Sequence, residues 1–224
     1  MEIIPNVHLV PNTVANPYLL VDPDGLTLID AGLPGSDRKI LRYLTGLGYA
    51  PKDLKRILIT HADFDHVGGL ARLKAASGAR LYASPAEAQA MLEGHASRPL
   101  KPRSVIAKFL FDLMASLFKP APVQADELLT DGQILPALGG LRVIETPGHT
   151  PGHISFFAPS AAILFCGDSI VSEESGLRGS SGANTWDQAK SDESVRKQAA
   201  LGVHIVCSGH GPVVMDAQGK FPLI

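Results

Sequence analysis

This chain has few cysteines, a single tryptophan and little net charge. Its 224 residues include two cysteines and one tryptophan, and 19% of the residues are charged. Cys166 and Cys207 are too few for a disulfide framework, so we expect a reducing, cytoplasmic location. The formal net charge of −2 gives no reason to expect a nucleic acid or an anionic membrane as a partner.

Long apolar runs and a leader-like N-terminus are also missing. The longest strongly apolar stretch, residues 105–118, is interrupted by Lys108, Asp112 and Ser116, whereas a membrane-spanning helix needs about 20 apolar residues. The N-terminal residues contain no basic region followed by an apolar core, so we expect no signal peptide. The length and a hydrophobic content of 45% predict one globular domain over residues 1–224.

Short strand-like segments recur along the chain in two groups, and helical patterns follow each group. The expected strands are residues 7–10, 18–21, 26–32, 56–60, 80–84, 141–146, 154–157, 162–167 and 203–207. The expected helices begin at Ser36 and Pro85 and cover residues 67–76 and 187–200. Ser84 and Glu87 match a capping box. Two sheets with helices outside them form an α/β sandwich.

Residues 94–125 interrupt this pattern and are read as a helical insertion. A helix over residues 104–118 has one narrow polar stripe and is apolar elsewhere, so it must be covered on more than one side. It fits a core helix, a lid over a pocket or a contact in a homodimer. Because the segment lies between two regular units, we favour a lid or a dimer contact, and the sequence does not separate these two.

One short motif concentrates metal-binding side chains. His61, Asp63, Asp65 and His66 fall within six positions, directly after an apolar strand. Imidazole and carboxylate groups together suit zinc, iron or manganese. His61 and Asp63, two apart in an extended turn, point to the same side and can share one metal. Asp65 and His66 begin the next turn and can reach a second metal.

Three further motifs place single metal-binding side chains after strands. His149 and His153 lie in a Pro-Gly loop, Asp168 follows an apolar strand, and His210 follows the last strand. One of the two loop histidines can be a ligand and the other its supporting partner. Each motif alone is weak, but the ends of strands in a sheet converge on one edge, which would bring them together.

In this order, the motifs HADFDH, TPGH, GDS and SGHGP resemble those of the metallo-β-lactamase-fold hydrolases. The segment LTLIDAG, with Asp30, is similar to the motif that precedes them in that family. The resemblance implies an αββα sandwich of two mixed β-sheets flanked by helices, with a two-metal site at one edge of the sheets. It also implies an enzyme.

The resemblance assigns a role to each matching position. His61, Asp63 and His149 would hold the first metal, Asp65, His66 and His210 would hold the second, and Asp168 would bridge them. Asp30 would support a ligand without binding metal. Two divalent ions are therefore expected, with zinc first and iron or manganese as alternatives.

Asp63 departs from the usual family pattern HxHxDH, because it stands where that pattern has its middle histidine. Asp63 can ligate through oxygen and keep both metals. It can instead bind weakly, so that only the second site fills well, or be a spectator. Its negative charge should make the site more tolerant of iron or manganese.

The leading hypothesis is a hydrolase that uses a metal-bound hydroxide to cleave an ester-like bond in a small-molecule substrate. Asp65 would pass a proton to the leaving group. Lactones, thioesters, β-lactams and phosphoesters all remain open. The apolar insertion favours a lactone or small carboxylic ester, and the short segment after His210 weakens a thioesterase with an added helical domain.

Two other classes compete with a hydrolase. The first is an iron-dependent oxidoreductase of the same fold, either persulfide-dioxygenase-like or di-iron, and Asp63 is its main support. The second is a non-catalytic scaffold, which the intact ligand set disfavours because buried unpaired carboxylates are costly. For substrate contacts we expect Arg178 and Trp186, which lie in the loop over residues 172–187, and Phe109 in the insertion.

Overall fold

The structure is a computed structural model that describes residues 1–98, 120–174 and 176–222. Two β-sheets face each other, and helices cover their outer faces. This is the αββα sandwich expected from the sequence.

The N-terminal half of the chain builds the larger sheet. Its strands are β1 (Glu2–Ile4), β2 (Val7–Leu9), β3 (Tyr18–Asp22), β4 (Gly25–Ile29), β5 (Leu54–Leu58), β6 (Arg80–Ala83) and β7 (Glu127–Leu128). They lie in sequence order. β1 to β4 pair antiparallel and β4 to β7 pair parallel. The sheet is therefore mixed.

The C-terminal half builds the second sheet and a hairpin. The sheet consists of β8 (Ile134–Leu135), β9 (Leu141–Glu145), β10 (Ile154–Ala158), β11 (Ile163–Gly167) and β14 (Ile205–Ser208), in the order β14-β11-β10-β9-β8. Only the β11–β14 pair is parallel. The hairpin joins β12 (Ile170–Glu173) to β13 (Gly176–Gly179), in a region that we expected to be a loop.

Helices lie outside both sheets. They are α1 (Ser36–Gly46), α2 (Phe64–Val67), α3 (Leu70–Ser77), α4 (Pro85–Glu93) and α5 (Gln188–Ala199). The first four follow strands of the larger sheet, and α5 precedes β14. No helix in these described ranges is long and apolar enough to cross a membrane.

Side-chain alternation along the strands creates the layers. Leu19 and Leu28 pack with α1 and α3 on the outer face of the larger sheet. Their neighbours Leu20 and Ile29 point the other way and pack between the sheets, against side chains such as Phe156. A third cluster joins the second sheet to Val195 of α5. This period of two is what a strand buried on both faces produces.

Two local predictions need correction. The capping box at α4 does not form, because the Ser84 hydroxyl donates to the Gly152 carbonyl and Glu87 turns toward other loops. The helix expected over residues 67–76 is α3, which begins only at Leu70, because Val67 ends α2 and the break between the two helices includes Gly68. A Cβ there would lie 2.2 Å from Pro34, so only glycine allows this close approach.

The helix expected over residues 104–118, with Phe109, lies outside the described residues. So does most of the insertion expected over residues 94–125. Its described ends are residues 94–98, which follow α4, and residues 120–125, which lead to β7. Whether the segment is a lid or a dimer contact therefore stays a prediction.

Candidate metal centre

The candidate ligands come from loops at the ends of β5, β9, β11 and β14. His61 and Asp63 follow β5, and Asp65 and His66 lie in α2. The remaining three candidate ligands, His149, Asp168 and His210, follow the ends of β9, β11 and β14. The structure brings all seven together at one edge of the sandwich, although they are far apart in the sequence.

The first group contains His61, Asp63 and His149, whose donor atoms lie within 4.8 Å of one another. Asp63 Oδ2 is 3.7 Å from His61 Nε2 and 3.2 Å from His149 Nε2. Ligands about 2.1 Å from a tetrahedral ion lie roughly 3.4 Å apart. The first group therefore has the spacing of a metal site.

The second group contains Asp65, His66 and His210, also within 4.8 Å of one another. His210 Nε2 is 3.2 Å from Asp65 Oδ2. Burial raises the pKa of Asp65, but its hydrogen bond with His210 and the charge of His66 bring that pKa below its ordinary value. Asp65 is therefore ionised at neutral pH, as a metal ligand must be.

Asp168 lies between the two groups. Its Oδ1 is 3.4 Å from His66 Nε2, and its Oδ2 is 3.5 Å from His210 Nε2. The same Oδ2 is 3.9 Å from His61 Nε2 and 3.7 Å from His149 Nε2. One carboxylate thus faces imidazoles of both groups, which is the arrangement of a bridging ligand.

Several buried atoms of this cluster indicate that a cation belongs there. His61 Nε2, His66 Nε2 and Asp168 Oδ1 are buried without a hydrogen-bond partner among the described residues. Burial lowers the pKa of His61 well below its ordinary value, so its imidazole is neutral. Buried polar atoms without partners are costly, and neutral imidazoles beside carboxylates are the donor set of divalent metals. The residues therefore fit metal ions.

Asp30 supports the site from the end of β4. Its Oδ2 accepts from the Thr60 hydroxyl at 2.8 Å and lies 2.8 Å from His66 Nδ1, and its Oδ1 accepts from the Thr60 amide at 2.9 Å. A carboxylate only accepts, so His66 carries a hydrogen on Nδ1 and turns Nε2 toward the cluster. Burial lowers the pKa of His66, but the charges of Asp168 and Asp30 raise it well above its ordinary value, so a metal would bind Nε2 by displacing a proton.

His153 supports Asp168 in a similar way. The Asp168 amide donates to His153 Nε2 at 3.1 Å, and His153 Nδ1 lies 2.8 Å from the Thr146 hydroxyl. The Nε2 lone pair of His153 is used by a backbone amide, whereas His149 Nε2 lies in the first ligand group. His149 is therefore the candidate ligand of this loop and His153 the supporting partner. Gly209 lets the last loop approach closely, since a Cβ there would lie 2.2 Å from Asp168 Oδ1.

Arg98 is a member of the site that the sequence did not single out. Its side chain is buried, and its Nη2 donates to Asp63 Oδ2 at 2.7 Å. The same nitrogen lies 3.2 Å from His149 Nε2, and Arg98 Nε donates to the His149 carbonyl at 3.0 Å. Arg98, Lys101 and Arg103 make the start of the insertion basic, and this is the signal that could have pointed to it.

Glu87, which matched a capping box, instead joins the two ligand loops. Its Oε2 accepts from the Ala62 amide at 2.8 Å. Its Oε1 accepts from the Thr150 hydroxyl, the Gly152 amide and the Ser97 hydroxyl at 2.7, 3.0 and 2.8 Å. The carboxylate is fully buried. It fixes the backbone between His61 and Asp63 against the loop that carries His149.

A cavity of about 850 Å³ opens over the cluster, within the usual range for small-molecule sites. Its lining includes Asp63, Asp65, Arg98 and His210. Arg178 also lines it, and its Nε pairs with Glu173 at 2.9 Å.

Trp186 is placed differently from Arg178. Its ring packs against the Lys190 ammonium at 4.8 Å, and its amide donates to the His149 carbonyl. It is not among the described residues that line the cavity.

Comparisons with known proteins agree with this geometry. A model of the metallo-beta-lactamase superfamily matches residues 10–210. The probable metallo-hydrolase YflN of Bacillus subtilis is 28% identical over 94% of this chain and 85% of its own length. A hydroxyacylglutathione hydrolase of Cereibacter sphaeroides is 34% identical over 80% of this chain, but only 56% of that protein is covered.

Solved structures show the same likeness. A metallo-beta-lactamase of Cronobacter sakazakii superposes with a TM-score of 0.69 at 31% identity, covering 94% of this chain and 77% of the other. The fold and the clustered ligands define a metal-binding hydrolase. The chain belongs to the metallo-β-lactamase superfamily.

Proposed function

We propose that this chain hydrolyses an ester-like bond in a small molecule, with two divalent cations held by the two ligand groups. The observation that carries the proposal is the position of Asp168. It faces imidazoles of both groups at 3.4 to 3.9 Å, at the base of a cavity of about 850 Å³. A bridging carboxylate is the usual way to hold two cations close together.

His61, Asp63 and His149 would hold the first ion, and Asp65, His66 and His210 the second. Bound divalent cations supply an activated water at neutral pH and polarise the bond that is cleaved. Zinc is the first expectation because each site has two histidines together with carboxylates. The carboxylate of Asp63 also suits iron or manganese.

The chain's own residues supply orientation and proton transfer. Asp65 lines the cavity and is ionised, so it can take a proton at its carboxylate and return it to the leaving group. Asp30 and His153 hold His66 and Asp168 in place. Arg178, on the cavity wall, is in reach of an anionic group of the substrate.

For the substrate we propose a lactone, a small carboxylic ester or a thioester. The apolar composition of residues 104–118 favours an acyl chain. The name of the Cereibacter sphaeroides relative, hydroxyacylglutathione hydrolase, supports the thioester. β-Lactams and phosphoesters are the other substrate classes to be tested.

The test is a panel assay on the metal-loaded chain with lactones, thioesters, carboxylic esters, β-lactams and phosphodiesters. We expect hydrolysis of at least one carbonyl ester, with one oxygen from ¹⁸O-labelled water in the acid product. Asp168→Ala should abolish that turnover. No hydrolysis of any member by protein with its metals bound would contradict the proposal. Oxygen uptake with a persulfide substrate would favour the iron-dependent oxidoreductase instead.

A further inference from the structure

Arg98 brings a permanent positive charge to the first ligand group. A guanidinium stays protonated at all accessible pH values. Arg98 Nη2 donates to Asp63 Oδ2 at 2.7 Å and lies 3.2 Å from His149 Nε2. Both acceptor atoms belong to the donor set that would hold the first metal.

Arg98 and a metal ion at the first ligand group would use the same two acceptor atoms. The Nε2 atom of a neutral imidazole has a single lone pair, which faces either an N–H donor or a metal. His149 Nδ1 faces the Ser180 hydroxyl at 3.0 Å, so Nε2 is the ring nitrogen that faces both Asp63 Oδ2, at 3.2 Å, and Arg98 Nη2, at 3.2 Å. A cation at the first group must therefore displace Arg98 Nη2 from His149 Nε2, and it must share the Asp63 carboxylate, which also accepts from Arg98 Nη1 at 3.4 Å, with the guanidinium.

Arg98 is held in this position by two further contacts. Its Nε donates to the His149 carbonyl at 3.0 Å. The preceding residue, Ser97, donates to Glu87 Oε1 at 2.8 Å. The guanidinium is thus fixed to the backbone of the ligand loop, and its chain neighbour to the buried carboxylate that joins the loops. Its position does not depend on Asp63 alone.

In the described residues, the second ligand group has no arginine or lysine placed as Arg98 is. Asp65 and His210 pair with each other, and His66 faces Asp30 and Asp168. Within the described parts of the chain, no lysine or arginine pairs with any of these three ligands. Among the described residues, only the first group therefore has a permanent cation against its ligands, although the donor spacing of the two groups is alike.

We propose that Arg98 is a positioning residue that makes the two metal sites unequal. The site of Asp65, His66 and His210 binds its ion tightly, and the site of His61, Asp63 and His149 binds weakly because Arg98 competes for two of its three ligands. This inference rests on the proposed two-metal centre. The inference adds which site binds its ion first, and which residue makes the metal affinities of the two sites unequal.

The test is a metal titration of the full chain after chelator treatment. Co²⁺ is added stepwise, and binding is followed by calorimetry, elemental analysis and the visible spectrum of the bound ion. The wild type should bind one ion tightly and a second at least about tenfold more weakly, as expected when one charge-assisted hydrogen bond must be displaced. Arg98→Met should tighten the second ion by roughly that factor and leave the first unchanged.

Matched variants separate competition from general damage. Arg178→Met removes another guanidinium of the same cavity wall, one that pairs with Glu173 and touches no ligand, so it should leave both affinities unchanged. Asp63→Asn should remove the weak ion and keep the tight one. If Arg98→Met does not fold, Arg98→Gln tests the same loss of charge, and a thermal melt of each variant establishes folding.

Two results would overturn the inference. One is equal affinity for both ions in the wild type. The other is an unchanged or weaker second ion in a folded Arg98 variant, which would make Arg98 a support of Asp63 and not a competitor. Because the readout is metal binding, this result is independent of whether any ester in the panel is hydrolysed.

Discussion

His66 Nδ1 lies 2.8 Å from Asp30 Oδ2, and both side chains are buried. Asp30 adopts a left-handed backbone conformation with φ 58° at the end of β4. Aspartate and asparagine tolerate this region better than other non-glycine residues. The strained turn aims the carboxylate at the ring and sets which nitrogen of His66 faces the metal cluster.

Asp30→Asn should weaken metal binding without unfolding the protein. The asparagine amide can place an NH₂ group toward His66 Nδ1, which moves the ring hydrogen to Nε2 and blocks that ligand. Loss of such a supporting partner costs about 10- to 100-fold in metal affinity. A titration with a competing chelator measures the change, with Asp24→Asn, at a surface ion pair with Arg56, as control. Wild-type affinity in Asp30→Asn would contradict this role.

Asp168→Ala should remove bound metal and hydrolysis together. Among the residues that the structure describes, its carboxylate is the one group that faces imidazoles of both ligand groups. Elemental analysis after desalting should find little metal in this variant. In His210→Ala, the metal ion of the second ligand group should be lost. Full activity in a metal-free variant would disprove the mechanism.

Glu87→Gln should loosen the loop between His61 and Asp63. Glu87 accepts four hydrogen bonds, and an amide in its place sets an NH₂ group against the Ala62 N–H. An unsatisfied buried donor costs about 1–3 kcal/mol. Chemical denaturation should show this loss, and the affinity for metal at the first group should fall. Equal stability of the two proteins would mean that Glu87 does not join these loops.

The pH dependence of stability gives Glu87 a second test. Burial raises the pKa of Glu87 above its ordinary value of 4.5, although hydrogen bonds from Thr150 and Ser97 partly offset this. The folded protein therefore holds this proton more tightly than the unfolded chain. Relative to Glu87→Gln, wild-type stability should rise as the pH falls through the raised pKa toward 4.5. A constant difference between the two proteins across this range would argue against a raised pKa.

Cys166 and Cys207 should resist alkylation in the native protein. Both side chains are fully buried, and burial raises the pKa of both thiols well above the ordinary value. At pH 8 neither forms the reactive thiolate. Mass spectrometry after iodoacetamide treatment should find both unmodified, and both modified in guanidinium chloride. Rapid native labelling of either would contradict their role as core residues.

Two signals in the sequence predicted the fold and the clustering of ligands: the pattern of strands, and the resemblance of the motifs to those of one family. His61, Asp168 and His210 each follow an apolar strand, and strand ends meet at one edge of a sheet. Successive apolar residues such as Leu19 and Leu20 pack on opposite faces of the larger sheet and so form its two apolar layers. These signals are local, so a single sequence carries them.

Arg98 and Glu87 escaped prediction because their partners are distant in the sequence. Arg98 contacts His149, and Glu87 contacts Thr150 and Gly152. Glu87 lies three residues after Ser84, so the local sequence fits an ordinary capping box equally well. Nothing local distinguishes a capping carboxylate from one that joins two loops across the site.

Anomalous diffraction from crystals of the metal-loaded chain, at the absorption edge of the bound metal, tests the central claim most directly. We predict two peaks roughly 3.5–4 Å apart, with Asp168 between them and His61 and His210 on opposite sides. After limited metal loading, the peak beside His210 should be the stronger. No peak within this cluster, in protein given zinc, iron or manganese, would contradict the account.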